Sequence, residues 1–479
     1  MWPSAASPRA TSAALWGESS YALGVPNHSP TTASPPLSLA ALRASIASGE
    51  LSASDAVKHA LERAAETAPL NALLEVHAEH ATQRAVEIDA ALADAKRSAE
   101  DPLRVVGPLA GIPVVLKDNI CLGPDAGRTT CGSRFLAEYS SPFTASVARR
   151  LHDAGAVVIA KANMDEFAMG SSGENSAFGP TRNPWDHSRV PGGSSSGSAA
   201  SVSAGIVTAA LGSDTGGSIR QPAAFCNLVG VKPTYGRVSR SGLVAFASSL
   251  DQIGPLTRTV EDAAIMLSVI CGHDPADTTS LDVPVPDFTK DLDTPIDGLV
   301  IGIPTQARSA ANHPAVRAAL DNAAFIYRSL GAIIVDVDLA HTEHGVAAYY
   351  IIATAEASSN LARFDGVRFG RRASANPGDD LLDLYARSRS EGFGPEVQRR
   401  IMLGTYVLSA GYYDAYYNTA LKVRRLIKQD YDAAFKSGVH AILMPTTPSP
   451  AFLIGEKTSD PMALYLEDVY TVGVNLAGL

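Results

Sequence analysis

The chain has 479 residues, 46% of them hydrophobic, which is enough for a large core. Its formal charge of −10 argues against a broad basic surface for nucleic acid, though not against an RNA held mainly by a partner. No apolar run reaches the roughly 18 residues of a membrane span, and the four cysteines show neither CxxC nor Cys/His metal spacing. A reducing compartment is therefore the expectation.

Residues 1–36 are rich in Ser, Ala and Pro, with only Arg9 and Glu18 charged. They read as a disordered extension, with a targeting segment as the alternative. Order begins near Ser38. Leu39, Leu42 and Ile46 fall on a helical period, and Ser52-Ala53-Ser54-Asp55 offers caps for a helix over 56–66. A further helix spans 78–96. Residues 109–118 read as a buried strand ending in charge at Lys117 and Asp118. A helix over 144–154 then feeds a strand over 156–160. Further strands fall at 299–303 and 332–337, with a helix over 314–330 between them. Residues 394–436 are helical with a break near Gly404 or Gly411, and 441–444 is a strand stopped by Pro445. The alternation predicts an α/β fold: one α/β/α domain over 37–479, a central mixed sheet covered by helices.

Two Gly- and Ser-rich runs stand out, Gly192-Gly193-Ser194-Ser195-Ser196-Gly197-Ser198 and Gly212-Ser213-Asp214-Thr215-Gly216-Gly217-Ser218. The small apolar residues 199–211 between them point to close backbone packing rather than a linker. Glycines beside serines let backbone N–H groups approach a reacting atom, as a nucleophile beside an oxyanion hole requires. A serine needs a base. Lys117, after the apolar 112–116, is a candidate because burial lowers a lysine pKa. Read alone, Lys117 is more often a surface charge capping a strand, and each serine more often a turn residue. Gly193-Ser194-Ser195-Ser196-Gly197 also satisfies GxSxG, but the Pro-rich, polar 183–191 is not the strand that a nucleophile elbow needs. No phosphate-loop lysine follows the glycines, and the eleven histidines form no metal pattern.

These runs, with Gln221-Pro222-Ala223-Ala224-Phe225-Cys226, resemble the amidase-signature family over roughly 37–479, most closely at 192–255. Within it, 231–240, 246–255, 356–366, 399–405 and 411–417 are similar to the A subunits of tRNA-dependent amidotransferases. The resemblance implies a Ser–cis-Ser–Lys triad: Ser218 the nucleophile, Ser194 the bridge across a cis Gly193–Ser194 peptide, Lys117 the base. It implies an oxyanion hole on backbone N–H groups of Thr215, Gly216, Gly217 and Ser218. Substrate contacts fall to Arg400 for a carboxylate, Asp468 for an ammonium, Tyr349 (with Tyr350 as the one-residue alternative), and Met169 and Gly170 lining the pocket.

The implied function is that of a glutaminase subunit, with L-glutamine as substrate and ammonia passed through a tunnel. A heterotrimer with B and C subunits would use it to convert Glu-tRNA(Gln) to Gln-tRNA(Gln), the partner choosing between tRNA(Gln) and tRNA(Asn). This chain would carry no cofactor or metal, ATP and Mg belonging to the partner. It would touch misacylated tRNA only through the complex and would not touch a membrane. The expected compartment is cytoplasmic, or mitochondrial or plastid if residues 1–36 are a transit peptide. The alternatives are a stand-alone amidase of other specificity and a catalytically inactive structural subunit. Two departures from the family pattern are expected to matter. Ser196 replaces a usual Gly: it would be strained if that position needs positive φ, though small residues are tolerated there in some relatives and activity is expected to be retained. The chain also stops at Leu479 where the family continues, which reads as a truncated end that lowers stability.

Overall fold

The structure is a computed structural model that describes residues 38–124 and 126–479. The expectation for 1–36 lies outside the described residues. The first helices form where their caps and periodicity place them. Ser38 caps Leu39–Ser48 by accepting from the Ala41 amide, and Gly49 ends it at φ 83°. Ser52 caps Ala53–Glu66 through the Asp55 amide. Leu39, Leu42 and Ile46 are buried, as their spacing predicts.

Six strands build the main sheet: β1 (Leu73–Val76), β2 (Pro113–Lys117), β3 (Val157–Ala162), β4 (Ala209–Asp214), β5 (Val229–Gly230) and β6 (Gln252–Thr257), in the order β1-β3-β2-β4-β6-β5. β2 runs parallel to both β3 and β4, whereas β1, β5 and β6 pair antiparallel, so the sheet is mixed. β2 and β4 register Val114 on Ala209 and Leu116 on Leu211. The carboxyl ends of the three parallel strands therefore open on one edge, where ligands bind in α/β sheets.

The helix Ser196–Ser203 packs across β2, β3, β4 and β6. Gly197 lies against the backbone of Asn163, where an added Cβ would sit 2.6 Å from its N and O. That close approach is why this helix is made of Ser, Gly and Ala.

β7 (Val300–Pro304), β8 (Ile333–Val337) and β9 (Ala441–Ile442) do not join the main sheet. They form a separate parallel sheet in the order β8-β7-β9, with the helix Pro314–Ser329 crossing from β7 to β8. A second apolar core, around Phe135, Phe167, Tyr349, Ile352 and Val472, joins the helix Gly345–Asn360 to the loops above the main sheet. The helical stretch after residue 394 breaks at Gly411 (φ 87°). Gly404 stays inside Pro395–Val407, pressed against the Thr354 carbonyl where no side chain fits.

Beside the end of β2 lies a buried ion pair. Lys161 Nζ is 3.1 Å from Asp118 Oδ1, with side chains 0% and 1% exposed. Lys161 also donates to the Arg128 carbonyl (3.1 Å) and to Thr129 Oγ1 (3.2 Å), and Asp118 accepts from the Thr130 amide at 2.8 Å. Asp118→Ala leaves the ammonium without its counter-charge. The expected loss is about 3–5 kcal/mol of unfolding free energy, read by urea denaturation.

Candidate active site

Lys117 ends β2 with no exposed surface. Its Nζ donates to Ser194 Oγ at 2.8 Å and to the Ser213 carbonyl at 3.1 Å. Burial lowers its pKa to about 7, against the opposing pull of Asp165, Asp214 and Asp251. Near neutrality this amine is thus poised between base and ammonium.

The Gly193–Ser194 peptide is cis. Gly193 donates its N–H to Gln221 Oε1 at 2.8 Å, and Gln221 Nε2 donates to the Ser171 carbonyl at 2.6 Å. A side chain at Gly193 would collide with the Asp165 carboxylate and with the amides of Ser172 and Gly173. The Asp165 amide donates to the Ser194 carbonyl at 3.2 Å. Its carboxylate accepts from the amides of Gly173 (3.0 Å) and Asn175 (2.9 Å). Burial raises the Asp165 pKa to about 6, those two amides and Lys117 drawing it the other way.

Ser218 is 8% exposed. Its carbonyl accepts from the Ser195 amide at 3.2 Å, which sets Ser218 alongside the Ser194–Ser195 peptide. Among the described residues its hydroxyl has no hydrogen-bond partner. Ser195 is fully buried; its Oγ donates to the Ser213 carbonyl at 3.1 Å and accepts from the Ser213 amide at 3.3 Å. No strand precedes it, so the elbow geometry is absent at Ser195. Ser196 begins a helix and has no positive φ, so the expected strain is not there.

Residues 215–218 follow β4. Asp214 Oδ1 accepts from the Gly217 amide (2.9 Å) and Oδ2 from the Ile219 amide (3.1 Å). Arg220 Nε and Nη2 donate to the same carboxylate at 3.0 Å each, and Asn475 Nδ2 at 2.9 Å. Burial alone would raise the Asp214 pKa, but the Arg220 charge and these bonds hold it well below the usual range. The Gly217 N–H is thus engaged, while among the described residues the Gly216 and Ser218 amides have no partner. An added Cβ at Gly216 would sit 2.6 Å from Tyr349 Cζ, so Tyr349 borders this loop.

Arg400 and Asp468 converge on the same site from the second half of the chain. Arg400 is 3% exposed, and its Nε donates to Glu396 Oε1 at 2.8 Å. Tyr465 donates its hydroxyl to the same oxygen at 2.7 Å. The guanidinium lies over the rings of Tyr350 (5.1 Å), Tyr465 (5.4 Å) and Phe246 (5.6 Å). Among the described residues its two terminal nitrogens have no partner, which leaves a fork for a carboxylate. Asp468 Oδ2 accepts from Ser171 Oγ at 2.7 Å. Burial raises its pKa to about 7, with the Ser171 bond and the Arg400 charge opposing.

Tyr349 therefore faces the loop after β4 and Tyr350 faces Arg400. Met169 is fully buried and follows two residues at positive φ, Phe167 (49°) and Ala168 (62°). Gly170 lies against Asp165 and Asn175, with no room for a side chain. Ser171, in the loop expected to line the pocket, does meet Asp468, whereas Asp165, Gln221, Glu396 and Tyr465 escaped the sequence reading. Only Asp165 carried a signal, an acid just past the carboxyl end of a parallel strand. Among the described residues no group of His, Cys, Asp or Glu could hold a metal ion. Nor is any described helix long and apolar enough to cross a membrane.

A buried lysine on a serine, a second serine alongside and free amides next to it form an arrangement chemically suited to acyl transfer. The family profile described as Amidase matches residues 55–479, and the chain belongs to that family. It is 56% identical over 432 residues to the glutamyl-tRNA(Gln) amidotransferase A subunit of Carboxydothermus hydrogenoformans, covering 90% of this chain and 86% of the relative. Another relative with that description, from Nitratidesulfovibrio vulgaris, is 56% identical over 450 residues, covering 92% of this chain and 88% of the relative.

Among solved structures, the glutamyl-tRNA(Gln) amidotransferase A subunit of Thermotoga maritima superposes with a TM-score of 0.74 at 42% identity, covering 92% of this chain and 86% of that one. Peptide amidase from Stenotrophomonas maltophilia gives 0.75 at 33% identity, covering 92% and 88%.

Labelling of Ser218 by a fluorophosphonate tests Lys117 as its base. Neutral Lys117 accepts a proton and its ammonium does not, so the labelling rate should rise with pH to a plateau, with its midpoint near the Lys117 pKa of about 7. Below that midpoint it should fall about tenfold per pH unit. Lys117→Met should remove the pH-dependent component; a flat wild-type profile would contradict the assignment.

Proposed function

We propose that this chain is the glutaminase subunit of a tRNA-dependent amidotransferase, with Lys117, Ser194 and Ser218 as its catalytic residues. The observation that carries the reading is the pairing, in one buried site, of a lysine–serine couple with two opposite charges. A free glutamine presents an α-carboxylate and an α-ammonium. Arg400 offers the first a guanidinium fork and Asp468 offers the second a carboxylate. A hydrolase for neutral amides has no use for both. The identity to the named A subunits supports the same reading.

In the first step neutral Lys117 accepts the Ser194 proton, Ser194 takes the proton of Ser218, and Ser218 Oγ bonds to the amide carbon of glutamine. The Lys117–Ser194 contact is already at hydrogen-bond length. The oxyanion that forms is met by backbone N–H groups of the 215–218 loop, with the Gly216 and Ser218 amides free to donate. Their charge stabilisation acts in a site from which water is largely excluded. The proton returns through Ser194 to the leaving nitrogen as the carbon–nitrogen bond breaks, releasing ammonia and a glutamyl ester on Ser218. Water then attacks the ester with the same couple as base, giving glutamate and free Ser218.

The ammonia passes to a partner subunit, which amidates glutamate on misacylated tRNA(Gln) at the expense of ATP with Mg²⁺. B and C subunits complete the heterotrimer. The net charge of −10 fits a chain that leaves tRNA binding to its partners.

The test is ammonia release from L-glutamine by the full chain co-expressed with B and C subunits. Release that is lost in Ser218→Ala and rises with ATP and glutamylated tRNA is the expected result. Release from simple amides but not glutamine would overturn the substrate assignment. Asp468→Asn and Arg400→Ala should each raise KM for glutamine roughly 10- to 100-fold, the worth of one charge-assisted hydrogen bond. The kcat should change far less.

A further inference from the structure

Thr471 is 2% exposed and lies three residues after Asp468. Its amide donates to the Asp468 carbonyl at 3.0 Å. Its hydroxyl has one proton and two carbonyls in reach, Gly216 at 2.5 Å and Asp468 at 3.1 Å, so the bond to Gly216 dominates. Its Oγ1 and Cβ occupy the space where a side chain at Gly217 would stand, 2.5 and 2.9 Å from the added Cβ. Gly217 has φ +147°, a conformation that favours glycine. Arg220 Nη1 donates to the Thr471 carbonyl at 3.2 Å, and Arg220 is itself bound to Asp214.

The consequence concerns one peptide plane. The Gly216–Gly217 peptide is rigid, and both of its polar ends are held: the carbonyl by Thr471 Oγ1 and the N–H by Asp214 Oδ1 at 2.9 Å. Held so, it cannot turn its carbonyl towards a developing oxyanion. The planes on either side then keep the Gly216 and Ser218 N–H groups free. We propose that Thr471 is a positioning residue that locks the Gly216–Gly217 peptide, so that the amides of Gly216 and Ser218 serve the oxyanion. This rests on the reading of Ser218 as nucleophile. Because the same short segment carries Asp468, the carboxylate that meets the substrate ammonium is mechanically tied to the loop that meets its oxyanion.

The experiment is steady-state glutaminase kinetics on the full chain co-expressed with B and C subunits, as wild type, Thr471→Val, Thr471→Ser and Ser218→Ala. An interaction made only in the transition state lowers kcat and leaves KM. Thr471→Val should lower kcat about tenfold or more, with KM within roughly twofold, because a misaligned donor forfeits part of the 10²–10³ that one oxyanion donor supplies. Thr471→Ser keeps the hydroxyl and should restore kcat to within about threefold of wild type. Unchanged kcat in Thr471→Val, or equal loss in the serine and valine variants, would overturn the proposal. If valine disturbs folding, Thr471→Ala removes the same hydroxyl without added bulk and is read the same way. Wild type without Ser218-dependent release would instead overturn the nucleophile reading.

Discussion

The site depends on one act of burial: the lysine amine at the end of β2 has no access to water. An isolated ammonium in such a place is costly, and a group so placed lowers its pKa instead. What remains is an amine that can lose its proton near neutrality while still held at bonding distance from Ser194. Asp165, Asp214 and Asp251 keep it from falling further. The strand position matters as much as the charge. β2 has a parallel neighbour on each side, so its end is flanked by the loops that follow β3 and β4. The first brings Asp165 and the second brings Ser218.

Those loops are built of glycine and serine because backbone has to come close to backbone. Gly193 stands against Asp165, Gly216 against Tyr349 and Gly217 against Thr471, and none of them has room for a Cβ. Lys117, Ser194 and Ser218 therefore gather at the sheet, while Arg400 and Asp468 arrive from the later helices. Arg400 comes from Pro395–Val407 and is steadied by Glu396, Tyr465 and an aromatic surround; Asp468 comes from near the end of the described chain. Asp468 accepts from Ser171 at its carboxylate and from Thr471 at its carbonyl, and Arg400 lies over Tyr350, whose ring meets that of Tyr349.

Local signals made much of the fold legible. Caps at Ser38 and Ser52, the apolar 112–116 and the βα alternation each depend on neighbours in sequence. β4 and β6 were not legible as strands. Ala209-Ala210-Leu211-Gly212-Ser213-Asp214 is small enough to read as mere packing, and β6 carries Gly254 and Pro255 where strands rarely do. Their sheet forms because Leu211 pairs with Pro255 and Gly212 with Gly254, a fit that only the partner strand reveals. The separate sheet of β7, β8 and β9 was equally hidden, since strand patterns do not say which strands pair. Ser194 and Ser218 stood out through their Gly- and Ser-rich runs and Lys117 through the apolar 112–116 before it, while their separate roles came only with the family resemblance. Glu396 and Thr471 are ordinary polar residues in sequence, and only tertiary contact gives them their positions.

The central claim is that Ser218, served by Lys117 through Ser194, carries the glutamyl group. Acid quenching during turnover of L-glutamine, followed by peptide mass spectrometry, tests it most directly. The account predicts a glutamyl ester on the peptide bearing Ser218, accumulating at early times and absent in Lys117→Met. An ester on Ser194 or Ser195, or steady turnover with no ester on any serine, would contradict it.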